Sequence, residues 1–144
     1  MSRAQTSDAT TAAPAVTVDG LAEVVLNVRD MAAALAFYRD LLGLRVISPP
    51  ERTTPVFLQA GTAATGVPSL VVLVQLPPDA AAFTPPRTLH HLALTVPADA
   101  FDATQAALSA TGLTVRTGQH PVLTARTIYV DDPDGNEVEF IAPA

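Results

Sequence analysis

Glu23-Val-Val-Leu-Asn-Val28 and His91-Leu-Ala-Leu-Thr-Val96 are two copies of one pattern. Both are rich in Val and Leu and free of breakers, which predicts strands within Leu21–Val28 and Leu89–Val96. A second pair follows each in the same order, Leu41-Leu-Gly-Leu-Arg-Val46 and Ala110-Thr-Gly-Leu-Thr-Val115. The offset between copies shifts by a single residue from the first pair to the second. Two matched blocks in one order, on the same expected elements, indicate an internal duplication.

Outward from these blocks, Asp30 is placed to cap a helix by accepting from the free amides of its first turn. Met31, Leu35, Tyr38 and Leu42 then recur at helical spacing, with Phe37 and Tyr38 expected to pack, and Gly43 follows as a left-handed stop. Strands are expected at Leu44–Ile47, Pro55–Gln59 and Ser69–Gln75, with Gly61–Gly66 as a hairpin loop. The second half predicts a helix over Asp99–Ala110 ending at Gly112, then strands at Leu113–Arg116, Ala125–Val130 and Glu137–Ile141. Asp131-Asp-Pro-Asp-Gly-Asn136 between the last two has the residues of a tight turn. The fold class is therefore α+β, with two βαβββ modules at about 21–76 and 88–142. Leu76–Arg87, rich in proline, is expected to be a hinge between them. Residues 1–18 are rich in Ala, Thr and Ser and lack periodicity. They are expected to form a flexible tail, leaving 19–144 as a single domain.

The bulk properties exclude several classes. A formal net charge of -6 and a pI near 4.7 disfavour nucleic acid and anionic membranes as partners. The absence of cysteine excludes disulfides, zinc–thiolate sites and cysteine nucleophiles. No apolar run is long enough to span a membrane, and residues 1–20 lack the apolar middle of a signal peptide, so a cytoplasmic location is expected. No phosphate loop, nucleophile elbow or dinucleotide fingerprint is present.

His91 sits in an apolar strand and shares a face with Ala93 and Thr95. It reads either as a half-buried histidine with satisfied hydrogen bonds or as a ligand with small neighbours leaving room beside it. Strand alternation sends His90 to the opposite face. Glu139 reads as one of two solvated carboxylates on an edge strand or as a group facing a cleft. Glu137 is expected to be exposed at the hairpin. Arg116 and Arg126 are candidates for holding a substrate carboxylate or phosphate, with a solvated position at the rim as the alternative.

Three stretches, Leu21–Ile47, Leu89–Arg116 and Arg126–Ile141, together resemble the vicinal oxygen chelate superfamily, which includes glyoxalase I, bleomycin-resistance proteins and extradiol dioxygenases. Tyr129-Val-Asp-Asp-Pro-Asp-Gly-Asn-Glu-Val-Glu-Phe140 is the most specific of them, and Ala36-Phe-Tyr-Arg-Asp40 before Leu-Gly-Leu is also typical. The resemblance implies that the modules curl into an open mixed sheet around a cleft. It places family ligand positions at Glu23, Val72, His91 and Glu139. Val72 cannot ligate, so it implies a three-residue site for a divalent metal (Fe, Mn, Ni or Zn) at Glu23, His91 and Glu139. The Gly118-x-His120, Tyr129, Glu139 spacing is similar to that of extradiol dioxygenases, implying catalytic roles for His120 and Tyr129. Arg126 is the candidate substrate anchor. The expected function is that of a divalent-metal-dependent enzyme stabilising an enolate or diolate of a small-molecule substrate. The alternative is a metal-free protein that sequesters a ligand, as bleomycin-resistance members do. A cleft filled by its own side chains is a third reading. A homodimer is the expected assembly.

Overall fold

The structure is a computed structural model that describes Ala15 and residues 18–62 and 66–144. The expected tail, and the middle of the expected Gly61–Gly66 loop, lie outside the described residues. The chain runs β1 (Glu23–Val28), α1 (Met31–Leu35, continuing as a π-helical segment, Ala36–Leu41), β2 (Arg45–Val46), β3 (Val56–Gln59) and β4 (Leu70–Gln75). The second half repeats the order as β5 (His91–Thr95), α2 (Phe101–Ala110, preceded by a 3₁₀ turn, Ala98–Ala100), β6 (Arg116–Gln119), β7 (Ala125–Asp131) and β8 (Glu137–Pro143). Each half forms one four-stranded mixed sheet, ordered β1-β4-β3-β2 and β5-β8-β7-β6. The duplicated α+β architecture read from the sequence is the observed one.

Local chemistry explains the elements. In β1, Leu26 and Val28 are buried while Glu23, Val25 and Asn27 are exposed, the alternation of a half-buried strand. Asp30 caps α1, its Oδ1 accepting from the Ala33 amide at 3.2 Å. The helix widens where the Leu42 amide reaches back five residues to the Phe37 carbonyl, 2.9 Å away, and Gly43 ends it at φ 73°. The second strand of the second half, β6, begins later than the apolar run Leu113–Val115 suggests. Leu113 and Val115 spend themselves on core packing, and ladder pairing starts only at Arg116, opposite Tyr129.

One apolar core unites the halves. It draws Leu26, Leu58 and Leu73 from the first sheet, Phe37 and Tyr38 from the helical segment, and Ile128, Val138 and Phe140 from the second sheet. The connection between the halves is fastened, in contrast to the expected hinge. The Arg29 guanidinium donates to the carbonyls of Ala80 (3.1 Å) and Ala81 (2.6 Å). The Phe83 ring is stacked by both Arg29 and Arg87, with guanidinium carbons 5.3 and 5.1 Å from its centroid.

A buried polar tie also joins the halves. Tyr38 donates its hydroxyl to Asp132 Oδ2 at 2.6 Å. Asp132 also accepts from the amides of Asp134 and Asn136, at 2.9 and 2.8 Å, and from Asn136 Nδ2 at 2.9 Å. Four donors compensate a carboxylate taken out of water. The same turn is held from the first half by the Arg29 amide, which donates to Asp134 Oδ1 at 3.0 Å.

Burial, reinforced by the adjacent Asp132 charge, pushes the Tyr38 hydroxyl far above the usual phenol range. The folded state therefore keeps a proton that the unfolded chain releases near pH 10, about the ordinary tyrosine value. Stability should fall as pH rises past about 10, by up to about 1.4 kcal/mol per pH unit. Tyr38→Phe should cost about 1.5–3 kcal/mol at neutral pH by urea denaturation and flatten that alkaline slope. A variant as stable as the parent, with an unchanged slope, would show that the hydrogen bond contributes nothing.

Candidate active site on the second module

Strand register assembles the polar residues of the second sheet on one face. Val138 and Phe140 of β8 are buried in the core, so Glu137 and Glu139, alternating with them, share the opposite side. Parallel pairing sets His91 beside Glu137, and antiparallel pairing sets Tyr129 beside Glu139. The outcome is a connected group. His91 Nε2 lies 3.0 Å from Glu139 Oε2, and the Tyr129 hydroxyl donates to Glu139 Oε1 at 3.0 Å. The Glu139 side chain is only 5% exposed while that of His91 is 36% exposed. Each oxygen of a buried carboxylate thus has a partner, as such a group requires.

Two residues belong to this group against expectation. His90 does not point away. It precedes the first rung of β5, so strand alternation does not govern it, and its Nδ1 lies 2.7 Å from Nδ1 of His91. Glu137 is half-buried, with its side chain 32% exposed. His90, His91 and Glu137 bring ligand atoms within 4.8 Å of one another. Two imidazoles and neighbouring carboxylates make a nitrogen–oxygen donor set that suits a borderline divalent ion. The sequence signal for both residues was strict alternation along β8 and the doubled histidine where β5 begins.

The other expected site residues lie elsewhere. Glu23 is exposed at the start of β1, opposite Leu70, and is not among the residues gathered around His91. Val72, at the register position matching Glu139, is 2% exposed among apolar neighbours. His120 organises the turn between β6 and β7, its Nδ1 accepting from the amides of Val122 (3.2 Å) and Leu123 (2.9 Å). Those bonds leave the proton on its Nε2. Arg126 faces α2, with its guanidinium carbon 4.0 Å from the Phe101 centroid and an ion pair to Asp102 at 3.2 Å. That is the helical side of the sheet, away from Tyr129 and Glu139. Arg116 spends one nitrogen on both Asp131 and Glu137, each at 3.1 Å.

Two cavities bear on ligand binding. The more voluminous, about 620 Å³, lies between β1 and the connecting segment near Phe83 and Arg87, and includes no member of the His91–Glu139–Tyr129 group. The other, about 500 Å³, has His91, Ala93 and Thr95 in one wall and Leu21, Val24 and Leu70 from the first module in another. Its apolar lining with a histidine at the wall is the composition of a small-molecule pocket, and it leaves the reading of a self-filled cleft without support.

Known proteins share this fold. Residues 20–140 match the model of the Glyoxalase/Bleomycin resistance protein/Dioxygenase superfamily. A catechol-2,3-dioxygenase of Bacillus subtilis (strain 168) is 31% identical over 121 residues, which are 81% of this chain. The match spans only 39% of that relative's length. Among solved structures, a glyoxalase/dioxygenase from Nostoc punctiforme superposes with a TM-score of 0.69 at 22% identity, over 92% of this chain and 99% of that one. A fosfomycin resistance protein from Listeria monocytogenes does so with a TM-score of 0.63 at 19% identity, over 89% and 96%. The family model covers most of the chain, and the chain belongs to the glyoxalase/bleomycin resistance protein/dioxygenase superfamily.

Proposed function

We propose that this chain is a divalent-metal-dependent enzyme acting on a small molecule with neighbouring oxygens, bound in the cavity beside His91. One observation carries the reading: a buried carboxylate, Glu139, holds both an imidazole and a phenol at 3.0 Å. Burying that charge costs several kcal/mol unless it is compensated, and here the compensating partners are two groups able to donate or move protons. A purely structural carboxylate is more cheaply replaced by an apolar side chain, as Val72 replaces it in the first module.

The residues divide the work. Glu139 accepts from His91 and fixes the ring's orientation and tautomer. Tyr129, held on the other oxygen, is poised to hydrogen-bond or protonate an oxyanion as it forms. A divalent cation, when bound, supplies Lewis-acid stabilisation of the same oxyanion. The likeness to a catechol dioxygenase makes catechols the first substrate class to test, and α-hydroxycarbonyl compounds the second. A metal-free sequestering protein is the rival, favoured by the apolar Val72 and the exposed Glu23.

The test is turnover by the full chain supplied with Fe²⁺, Mn²⁺, Ni²⁺ or Zn²⁺. Glu139→Gln should lower kcat/KM by about 100-fold or more, and Tyr129→Phe by roughly 10- to 100-fold, mostly in kcat. Saturable ligand binding without turnover under any metal would favour the sequestering reading, and full activity in Glu139→Gln would overturn the proposal. Arg126→Met should leave kcat/KM within about twofold while lowering stability by about 0.5–1 kcal/mol, the usual worth of such a stacked cation. A large rise in KM would instead place Arg126 at the substrate.

A further inference from the structure

We infer that the cavity beside β1 binds a small organic acid, with its carboxylate on Arg87 and its apolar body against Val25 and Leu89. This inference goes beyond the metal-dependent reading and does not rest on it.

An unpaired cation is the first argument. The chain carries 14 acidic residues against 8 basic ones, yet no aspartate or glutamate lines this cavity of about 620 Å³. Arg87 is half-buried in its wall. Among the described residues Arg87 forms no ion pair, whereas Arg39, Arg116 and Arg126 each do. Asp134 lines an adjoining recess with Arg87, but its Oδ1 accepts from the Arg29 amide. Of the five N–H donors of the guanidinium, one is used, Nη1 donating to Asn136 Oδ1 at 3.3 Å. The others have no protein acceptor among the described residues. Planar forked donors of this kind match a carboxylate.

Position is the second. The Arg87 guanidinium carbon lies 5.1 Å from the Phe83 centroid, and a side chain at Gly135 would begin 3.2 Å from Nη2. The group is wedged between an aromatic ring and the glycine of the β7–β8 turn. Phe83 is itself steadied by Arg29, which is tied to the carbonyls of Ala80 and Ala81. A cation held this way loses little rotamer freedom when a ligand arrives.

The rest of the wall is the third. β1 is the terminal strand of its sheet. The amides of Leu70 and Leu76 bond to the carbonyls of Ala22 and Val28. In that parallel ladder the even-numbered residues of β1 serve β4, and Val25 and Asn27 turn their backbone groups to the open edge. The Val25 side chain, 52% exposed, and Leu89 across from it on the connecting segment supply apolar surface. Apolar walls with one guanidinium and a few amides suit a carboxylate on an apolar body better than a bare inorganic anion. Among the described residues Leu89 alone is common to this lining and to that of the cavity beside His91, so the two are separate pockets.

The experiment titrates the full chain with phenylacetate and follows backbone amides by nitrogen-15 NMR. Saturable shifts should appear at Val25, Asn27, Arg87 and Leu89. Phenylacetamide, the neutral isostere, and inorganic phosphate should each bind at least about tenfold more weakly, and Arg87→Gln should weaken phenylacetate binding by at least about tenfold. Val25→Asp, at an exposed position, should do the same by repulsion, and it carries the test should circular dichroism show Arg87→Gln unfolded. Glu139→Gln and Arg126→Met, which lie outside the cavity, should leave binding within about twofold. The inference is overturned by no saturable binding up to about 10 mM, by phenylacetamide or phosphate binding as well as phenylacetate, or by shifts confined to Ala93 and Glu139. The last result would place the acid beside His91 and leave the enzyme reading to its own turnover test.

Discussion

Everything at the candidate site depends on the parallel pairing of β5 with β8. That rung pattern sets His91 beside Glu137 and Ala93 beside Glu139, and the small side chain of Ala93 leaves space for the His91 ring to lean toward the buried carboxylate. Because side chains alternate with period two, a slip of one residue would send both glutamates into the core and expose Val138 and Phe140. The burial of those two residues therefore enforces the position of the polar ones. The hydrophobic effect fixes the register, and the register fixes the chemistry.

The duplication makes the asymmetry between halves legible. Matching rungs make Phe57 and Val72 the counterparts of Tyr129 and Glu139, and Leu70 the counterpart of Glu137. The first module keeps the bulk of each side chain and none of its ionisable groups. Its contribution to the cavity is a wall, made by Leu21, Val24 and Leu70, and the second module contributes the donors.

Most of the fold was legible because its signals are local. Repeated apolar blocks, a capping aspartate at 30, glycines at 43 and 112 and the Asp131–Asn136 turn each act within a few residues. His91, Tyr129 and Glu139 were picked out by the family resemblance, and the strand register brings them to one face. What could not be read were facts of tertiary placement. The orientation of His90 depends on where pairing begins, and apolar residues 113–115 look like a strand although they serve the core. Arg126 resembles a substrate anchor until α2 is laid across its face of the sheet. Glu23 matches His91 in the repeat, but equivalence between modules says nothing of the distance between them. The hydroxyl of Tyr38 was hidden for a similar reason, since its partner is 94 residues away.

That last bond has a reach beyond stability. Asp132 is both the clasp of the β7–β8 turn and the acceptor for a phenol on the first module. The turn launches β8, and Glu137 is the first residue of that strand. The helical segment of one half therefore has a mechanical grip on the strand carrying the acidic residues of the other, without touching any of them. Substitutions in the Ala36–Leu41 segment would detune the site from a distance, as a loosened tuning peg changes the pitch of a string it does not cross.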